Sequence, residues 1–246
     1  MKIFGFREKK KKFNGNLFRN IVANTIICLI LATMLGLTYA GGSLNAFSSN
    51  EPSPIYNGNL SSNKISLMIN VYWGNEFIEP MLKTLKDNDV KTTFFVGGMW
   101  AEKYPDLLKE IYNEGHEIAN HGYFHKDQNL LNLDGNKKEI NDCHNIVKKT
   151  INVDMNLFAP PSGAFNKSTL TAAESLGYKV IMWTRDTIDW RDQDSEIIFK
   201  RATQNAKGGD LVLMHPTKAT AAALENIIKE LKTKFELTTV SNCLNA

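Results

Sequence analysis

The stretch HEIANHGYFH, residues 116–125, decides how the rest of the chain is read. Its first half alternates apolar and polar residues, as a short half-buried strand does. Its second half sets His121 and His125 four residues apart, with a glycine and two aromatic residues between them. On a helix such a pair faces one way and can hold a metal. Gly122 and the aromatic residues argue against a long helix here. The stretch is therefore a strand that ends either in a metal-binding loop or in an ordinary surface turn, and the surrounding sequence has to decide between them.

Outward from this stretch, short apolar runs alternate with helix-period segments. The strand-like runs are ISLMINV (65–71), TTFFVG (92–97), HEIAN (116–120), NLFAP (156–160), KVIMWT (179–184), DLVLMH (210–215) and ELTTVS (236–241). Between them, Ile140, Cys143, His144 and Val147 recur at helical spacing, as do Leu224, Ile227, Ile228 and Leu231. Pro105 suits a first helical turn, Gly115 a helix end, and Asn166 an N-cap. Regular alternation of this kind predicts parallel strands with helices outside. Seven units predict a distorted, seven-stranded (β/α) barrel within residues 65–246. An open doubly wound sheet is the alternative, but no Gly-rich phosphate loop follows the first strand.

In such barrels, chemistry gathers beyond the C-terminal ends of the strands. There the chain places NVYWGNE (70–76), HGYFH (121–125), PPSG (160–163), DTIDW (186–190) and His215. Three of the five histidines thus converge on one rim with two aspartates and a tryptophan. That convergence favours a metal site over a turn at His121 and His125.

The formal charge is +3, but residues 1–20 alone carry seven Lys/Arg and one Glu, or +6, which leaves −3 for the remainder. A slightly acidic domain has no electrostatic footprint for nucleic acid, so that partner is not expected. After the basic tail, residues 21–40 contain no charge, and the next charged residue is Glu51. Twenty helical residues span about 30 Å, enough for a single membrane crossing. The basic flank predicts a cytoplasmic N-terminus and a domain outside the cytoplasm. The segment reads as an uncleaved signal anchor, although Thr38-Tyr39-Ala40 also fits a cleavage site. Residues 41–64, rich in Gly, Ser, Asn and Pro, read as a flexible tether. Of three cysteines, Cys28 lies in the apolar segment, and Cys143 and Cys243 read as unpaired apolar residues rather than as a disulfide framework.

The ordered motifs resemble those of the polysaccharide deacetylases of the NodB-homology family, carbohydrate esterase family four, over about residues 65–243. NVYWGNE, with Trp-Gly inserted, resembles the spore-associated branch. The resemblance implies metal-dependent removal of N-acetyl groups from peptidoglycan or another N-acetylated polysaccharide. It implies that His121 and His125 hold a divalent metal, with zinc expected. Asp186, Asp189 and Trp190 match the family's Asp-x-x-Asp-Trp motif, and Leu213 and His215 its Leu-x-His motif. His215 is then the proton donor to the leaving amine, tuned by the motif's aspartate. Trp190, Leu213, Pro161 and Ser162 line the substrate, with a backbone N–H at Ser162 facing the developing oxyanion.

The departures from the family pattern fall in two motifs. The first normally supplies a base Asp and a metal-binding Asp. Here the base position reads as Asn70, and the metal position as Asn75 with Glu76 beside it. An amide is no base, and Glu76 either replaces the ligand or simply starts a helix. The family's third-motif Arg, which holds the base carboxylate, is here Ala159. Loss of the ion pair as a unit is coherent, since either charge alone would be left unpaired. Two functions stay open at this point: an anchored deacetylase with reduced or altered activity, and a non-catalytic glycan-binding or scaffolding relative. Another exported barrel hydrolase using the same rim is a third.

Overall fold

The computed structural model describes residues 15–43 and 51–245, which fall in two compact units divided after Glu51. The first holds a 29-residue helix, α1 (Gly15–Ser43). Its stretch Phe18–Gly36 has a mean hydropathy of 1.8, and all of its side chains are exposed. This stretch is long and apolar enough to cross a membrane. Most of the expected basic tail, residues 1–14, and the middle of the expected tether, residues 44–50, lie outside the described residues.

In the second unit the elements run β1 (Lys64–Val71), α2 (Ile78–Asp87), β2 (Thr93–Val96), α3 (Gly98–Lys103), α4 (Pro105–Asn113), β3 (Glu117–Asn120) and α5 (Leu133–Ile151). They continue with β4 (Leu157–Phe158), α6 (Lys167–Ser175), β5 (Lys179–Val180), β6 (Arg185–Asp186), α7 (Ser195–Thr203), β7 (Leu211–Met214), α8 (Lys218–Lys232), β8 (Glu236–Thr238) and α9 (Val240–Leu244). All strand pairs are parallel, in the order β5-β4-β3-β2-β1-β7-β6, with β8 paired to the start of β1.

Strand periodicity builds two apolar layers. Ile65, Leu67, Ile69 and Val71 of β1, with Phe94 and Val96 of β2, face the helices. Met68, Phe95, Ala119, Leu157, Ala159, Ile181 and Leu211 fill the inside of the curled sheet. Because successive side chains alternate sides, Asn70 lies on the inner side with Met68. The helical stripes predicted on α5 and α8 are buried, except that His144 is half-buried and bonded to the Tyr178 hydroxyl. Local signals act as read: Pro105 opens α4, Gly115 follows it at φ +84°, and Asn166 and Thr169 form a reciprocal capping box on α6.

The expected distorted (β/α) barrel is the fold that forms, and it differs from the expectation in details. The sheet has eight strands rather than seven, because Arg185–Asp186 pairs with Val212 and Leu213. β5 and β6, consecutive in sequence, lie at opposite edges, so the barrel is a curled, unclosed sheet. The domain begins at Pro52 rather than at residue 65. Ile55 forms a parallel bridge with Ile181, and the Gly58 amide bonds the Gly209 carbonyl at 2.7 Å. Composition flags a tether, but backbone hydrogen bonds, which need no apolar side chains, fix this segment to the sheet. Finally, ELTTVS is strand only to Thr238, because the Thr239 hydroxyl accepts from Asn242 and starts α9. Cys143 and Cys243 are separate buried thiols.

Candidate active-site cleft

A cleft of about 450 Å³ opens at the C-terminal ends of the strands, lined by Asn70, Tyr72, Trp73, His121, His125, Ser162, Trp183, Asp186, Trp190, Leu213 and His215. Its size falls within the ~300–1,000 Å³ of small-molecule sites. Five sequence motifs meet there, as the strand-end argument requires.

His121 follows β3 directly and is 2% exposed. Its Nδ1 lies 2.7 Å from the Ala159 carbonyl, so Nδ1–H donates and Nε2 is left with its lone pair. Burial, reinforced by His125, pushes the His121 pKa down to about 3. His125 lies past Gly122 and is also lowered, chiefly by burial. Both imidazoles are therefore neutral. Their ring centroids are 5.1 Å apart.

A residue that no motif identifies shapes this loop. Glu139 on α5 is 3% exposed, and its Oε2 accepts from the backbone amides of Tyr123 at 3.0 Å and Phe124 at 2.8 Å. Lys126 approaches its other oxygen at 3.4 Å. The buried carboxylate thus gathers the backbone between the two histidines, where Gly122 and His125 both take positive φ. In the sequence Glu139 is one more charged residue beside a buried helical stripe, and nothing marks it.

The fourth and fifth motifs form a tight pair. Asp189 is fully buried; its Oδ1 lies 2.7 Å from His215 Nδ1, and its Oδ2 accepts from the His215 backbone amide at 2.6 Å and from the Thr220 hydroxyl. His215 is thereby oriented with Nε2 away from Asp189, and the dyad can hold and deliver a proton. The loop that carries Asp189 is clamped by Thr187 Oγ1 donating to the Leu213 carbonyl and by Arg201 donating to the Thr187 carbonyl. It also places β-branched Ile188 at φ 53°, an unfavourable conformation held by its surroundings. Asp186 lines the cleft, with Oδ1 accepting from the Ile188 amide. Trp190 is 56% exposed at the rim. In the third motif Pro161 is buried, and Ser162 stands on the rim at φ 55° in a turn packed against Trp183.

The first motif departs from its sequence reading. Asn75 and Glu76 do not line the cleft. Asn75 Oδ1 instead accepts from the Trp100 indole at 2.6 Å, and Glu76 is exposed in the turn Asn75–Phe77 that leads into α2. Asn70 is at the cleft, 4% exposed, and its Oδ1 has no partner. The groups that reach the histidines from the end of β1 are Tyr72 and Trp73. The Tyr72 ring lies 4.7 Å from that of His125, and Trp73 stacks on His215 at 5.9 Å. Gly74 at φ +80° lets this loop press against the Pro216 carbonyl, which a Cβ would meet at 2.0 Å.

A catalytic zinc needs three protein ligands, one of them normally anionic or a third imidazole. His121 is prepared as one ligand and His125 stands near it. Among the described residues, however, no group of three or more His, Cys, Asp or Glu is placed to hold a metal. The donor set does not fit the expected zinc: the ring that the end of β1 brings to His125 is that of Tyr72, and no third imidazole or carboxylate among the described residues completes the set.

The profile of the polysaccharide deacetylase family matches residues 57–181. The chain is 38% identical over 196 residues to YlxY, an uncharacterized protein of Bacillus subtilis, covering 79% of this chain and 61% of that one. It is 33% identical over 164 residues to a peptidoglycan-N-acetylglucosamine deacetylase of Bacillus cereus, covering 65% of this chain and 60% of the relative. The chain thus spans less than two thirds of the length of these two relatives. A carbohydrate esterase family 4 pseudoenzyme from Bacillus anthracis superposes with a TM-score of 0.76 at 34% identity, over 78% of this chain and 69% of that one. A mutant of it with restored enzymatic activity gives 0.77 at 32% identity, over 78% and 71%.

Proposed function

Because the chain belongs to the polysaccharide deacetylase family, we propose that its cleft binds the amino-sugar glycan of the cell wall, peptidoglycan or a related polysaccharide, without hydrolysing the glycan's amides. One observation carries this reading: the side chains that the end of β1 brings to His125 and His215 are the rings of Tyr72 and Trp73 rather than carboxylates. Without a base, amide hydrolysis loses about 10²–10⁴ in rate. Without a third ligand, the metal that would polarise the acetamide carbonyl is not held. What is left is a cleft walled by Tyr72, Trp73, Trp183 and Trp190, with polar groups at its floor, which suits the apolar face and polar edge of a sugar ring. The family resemblance to a pseudoenzyme supports the same reading.

The apolar helix α1 anchors the chain in the membrane in this reading. The basic residues before it stay on the cytoplasmic side, and the domain lies outside, next to the wall.

A second reading, a slow deacetylase, is favoured by the Asp189–His215 dyad, which keeps a proton donor oriented with no binding role to explain it. One assay separates the two. The full chain in detergent micelles is titrated with N-acetylglucosamine and glucosamine oligomers, and acetate release is followed from the acetylated ones. Saturable binding with acetate release at the buffer rate supports the binder. Turnover that disappears in His215→Ala supports the slow enzyme. Absence of binding to either oligomer removes the glycan reading.

A further inference from the structure

The floor of the cleft has an unusual balance of donors and acceptors. Asn70 Oδ1 is a buried amide oxygen with no partner, at the end of β1 and on the cleft lining. A buried acceptor left without a donor is costly, and a ligand that brings one relieves it. His121 is committed as a donor through Nδ1 to the Ala159 carbonyl, so its Nε2 is a second acceptor. Asp186 is the third: one oxygen takes the Ile188 amide, and the other makes no hydrogen bond among the described residues. Among the described residues no lysine or arginine lines the cleft, although Arg191 beside it lies over the Trp190 ring at 5.9 Å. The rings of Tyr72 and Trp73 add π-faces, which attract cations.

Resting on the glycan-binding reading above, we propose that the group seated at this floor is a primary ammonium, so that the ligand is a de-N-acetylated, glucosamine-containing glycan rather than its acetylated form. An acetamide offers one N–H and brings a carbonyl that itself needs donors. An ammonium offers three donors and no acceptor, which is the complement of Asn70, His121 and Asp186. The carboxylate of Asp186 adds charge, and charge-assisted bonds are roughly twice as strong as neutral ones. The acetamide has no group that uses this charge. The cleft therefore recognises the product class of the family's reaction and needs none of its chemistry.

The test is calorimetric titration of the full chain in micelles with a glucosamine tetramer and an N-acetylglucosamine tetramer at about pH 6, where the amines are protonated. The glucosamine tetramer is expected to bind about tenfold tighter or more, on the scale of one charge-assisted hydrogen bond. Asp186→Asn should remove most of that preference, lowering affinity for the glucosamine tetramer more than for the acetylated one. Asn70→Leu should also reduce the preference, and it decides the matter if the first variant fails to fold. An oligolysine of equal charge should not displace the glycan. Equal or tighter binding of the acetylated tetramer overturns the proposal and leaves the glycan reading standing. A preference that survives both substitutions, or displacement by oligolysine, also overturns it. If neither tetramer binds, the glycan reading itself falls, and this proposal with it.

Discussion

Trp73 lies face to face on His215, with ring centroids 5.9 Å apart and planes 6° from parallel. Asp189 holds the imidazole at its Nδ1 edge, and the indole lies parallel to the ring plane. On the binding reading, the end of β1 brings bulk to the site as well as withholding charge.

Substitution of both rings is expected to return a carboxylate to the histidines. Tyr72→Asp with Trp73→Asp should raise zinc binding above the parent's, measured as metal content after dialysis. Acetate release should rise by roughly 10²-fold or more, the usual scale of general base catalysis. The two changes should be strongly non-additive because they share a site. A chelator should leave the parent's melting temperature unchanged and lower that of the double variant. Metal content equal to the parent's would mean that the histidines are not the ligands.

Reconstruction of the family's ion pair, by contrast, should fail. Ala159 is fully buried among Phe95, Leu157 and Ile181 on the inner layer. Ala159→Arg must place a guanidinium there, with overpacking alone costing about 1–3 kcal/mol and an unpaired charge more. With Asn70→Asp beside it, part of the charge cost is relieved but none of the volume. Chemical denaturation of the single and double variants checks this; a parent-like midpoint for Ala159→Arg contradicts it.

Glu139→Ala should destabilise the domain by about 2–4 kcal/mol, since two part-buried amides lose their acceptor, each at less than the full cost of about 1–3 kcal/mol for a buried one. Glu139→Gln keeps an oxygen for both amides and should cost less. Faster amide exchange at Tyr123 and Phe124 in the Ala variant, without change at β1, would locate the effect in the loop. Uniformly faster exchange would make Glu139 an ordinary core residue.

Acid should destabilise the domain through its buried imidazoles. His116, whose Nδ1 accepts from the Thr92 amide, has its pKa lowered by burial from 6.5 to about 4. His121 is lowered further, to about 3. Between 6.5 and these values the unfolded chain binds protons that the folded one does not, so stability falls as the pH falls. Above 6.5 both states are neutral at these positions, and the contribution is fully present. Urea midpoints measured from about pH 7 to pH 4 should decline, and His116→Gln should flatten part of the slope. A flat profile in the parent would show that the folded chain takes up these protons freely.

The parts of the fold visible in the sequence were those carried by side-chain periodicity. The stripes of α5 and α8 and the longer strands had it; β6, at two residues, had no period to detect. Residues 52–63 hold on through backbone bonds, which leave no compositional trace. At the cleft, the order of motifs placed His121, His125, Asp186, Asp189 and His215 together. It failed in NVYWGNE, because which of those residues face inward depends on the pleat of β1 and on the sharp turn at Gly74, not on proximity to a motif. Glu139 was invisible for a different reason: its partners are main-chain amides, and any loop supplies those.

The bridge between Ile55 and Ile181 makes residues just inside the domain boundary the outermost ribbon of the sheet at β5. A pull applied at Pro52 reaches that ribbon before it reaches the core. Ile55 would peel from Val180 and Met182 one hydrogen bond at a time, whereas the Gly58–Gly209 contact beyond it backs the load onto the start of β1. Load on the first residues of the domain is thus taken first at a sheet edge, two residues before the Trp183 wall of the cleft.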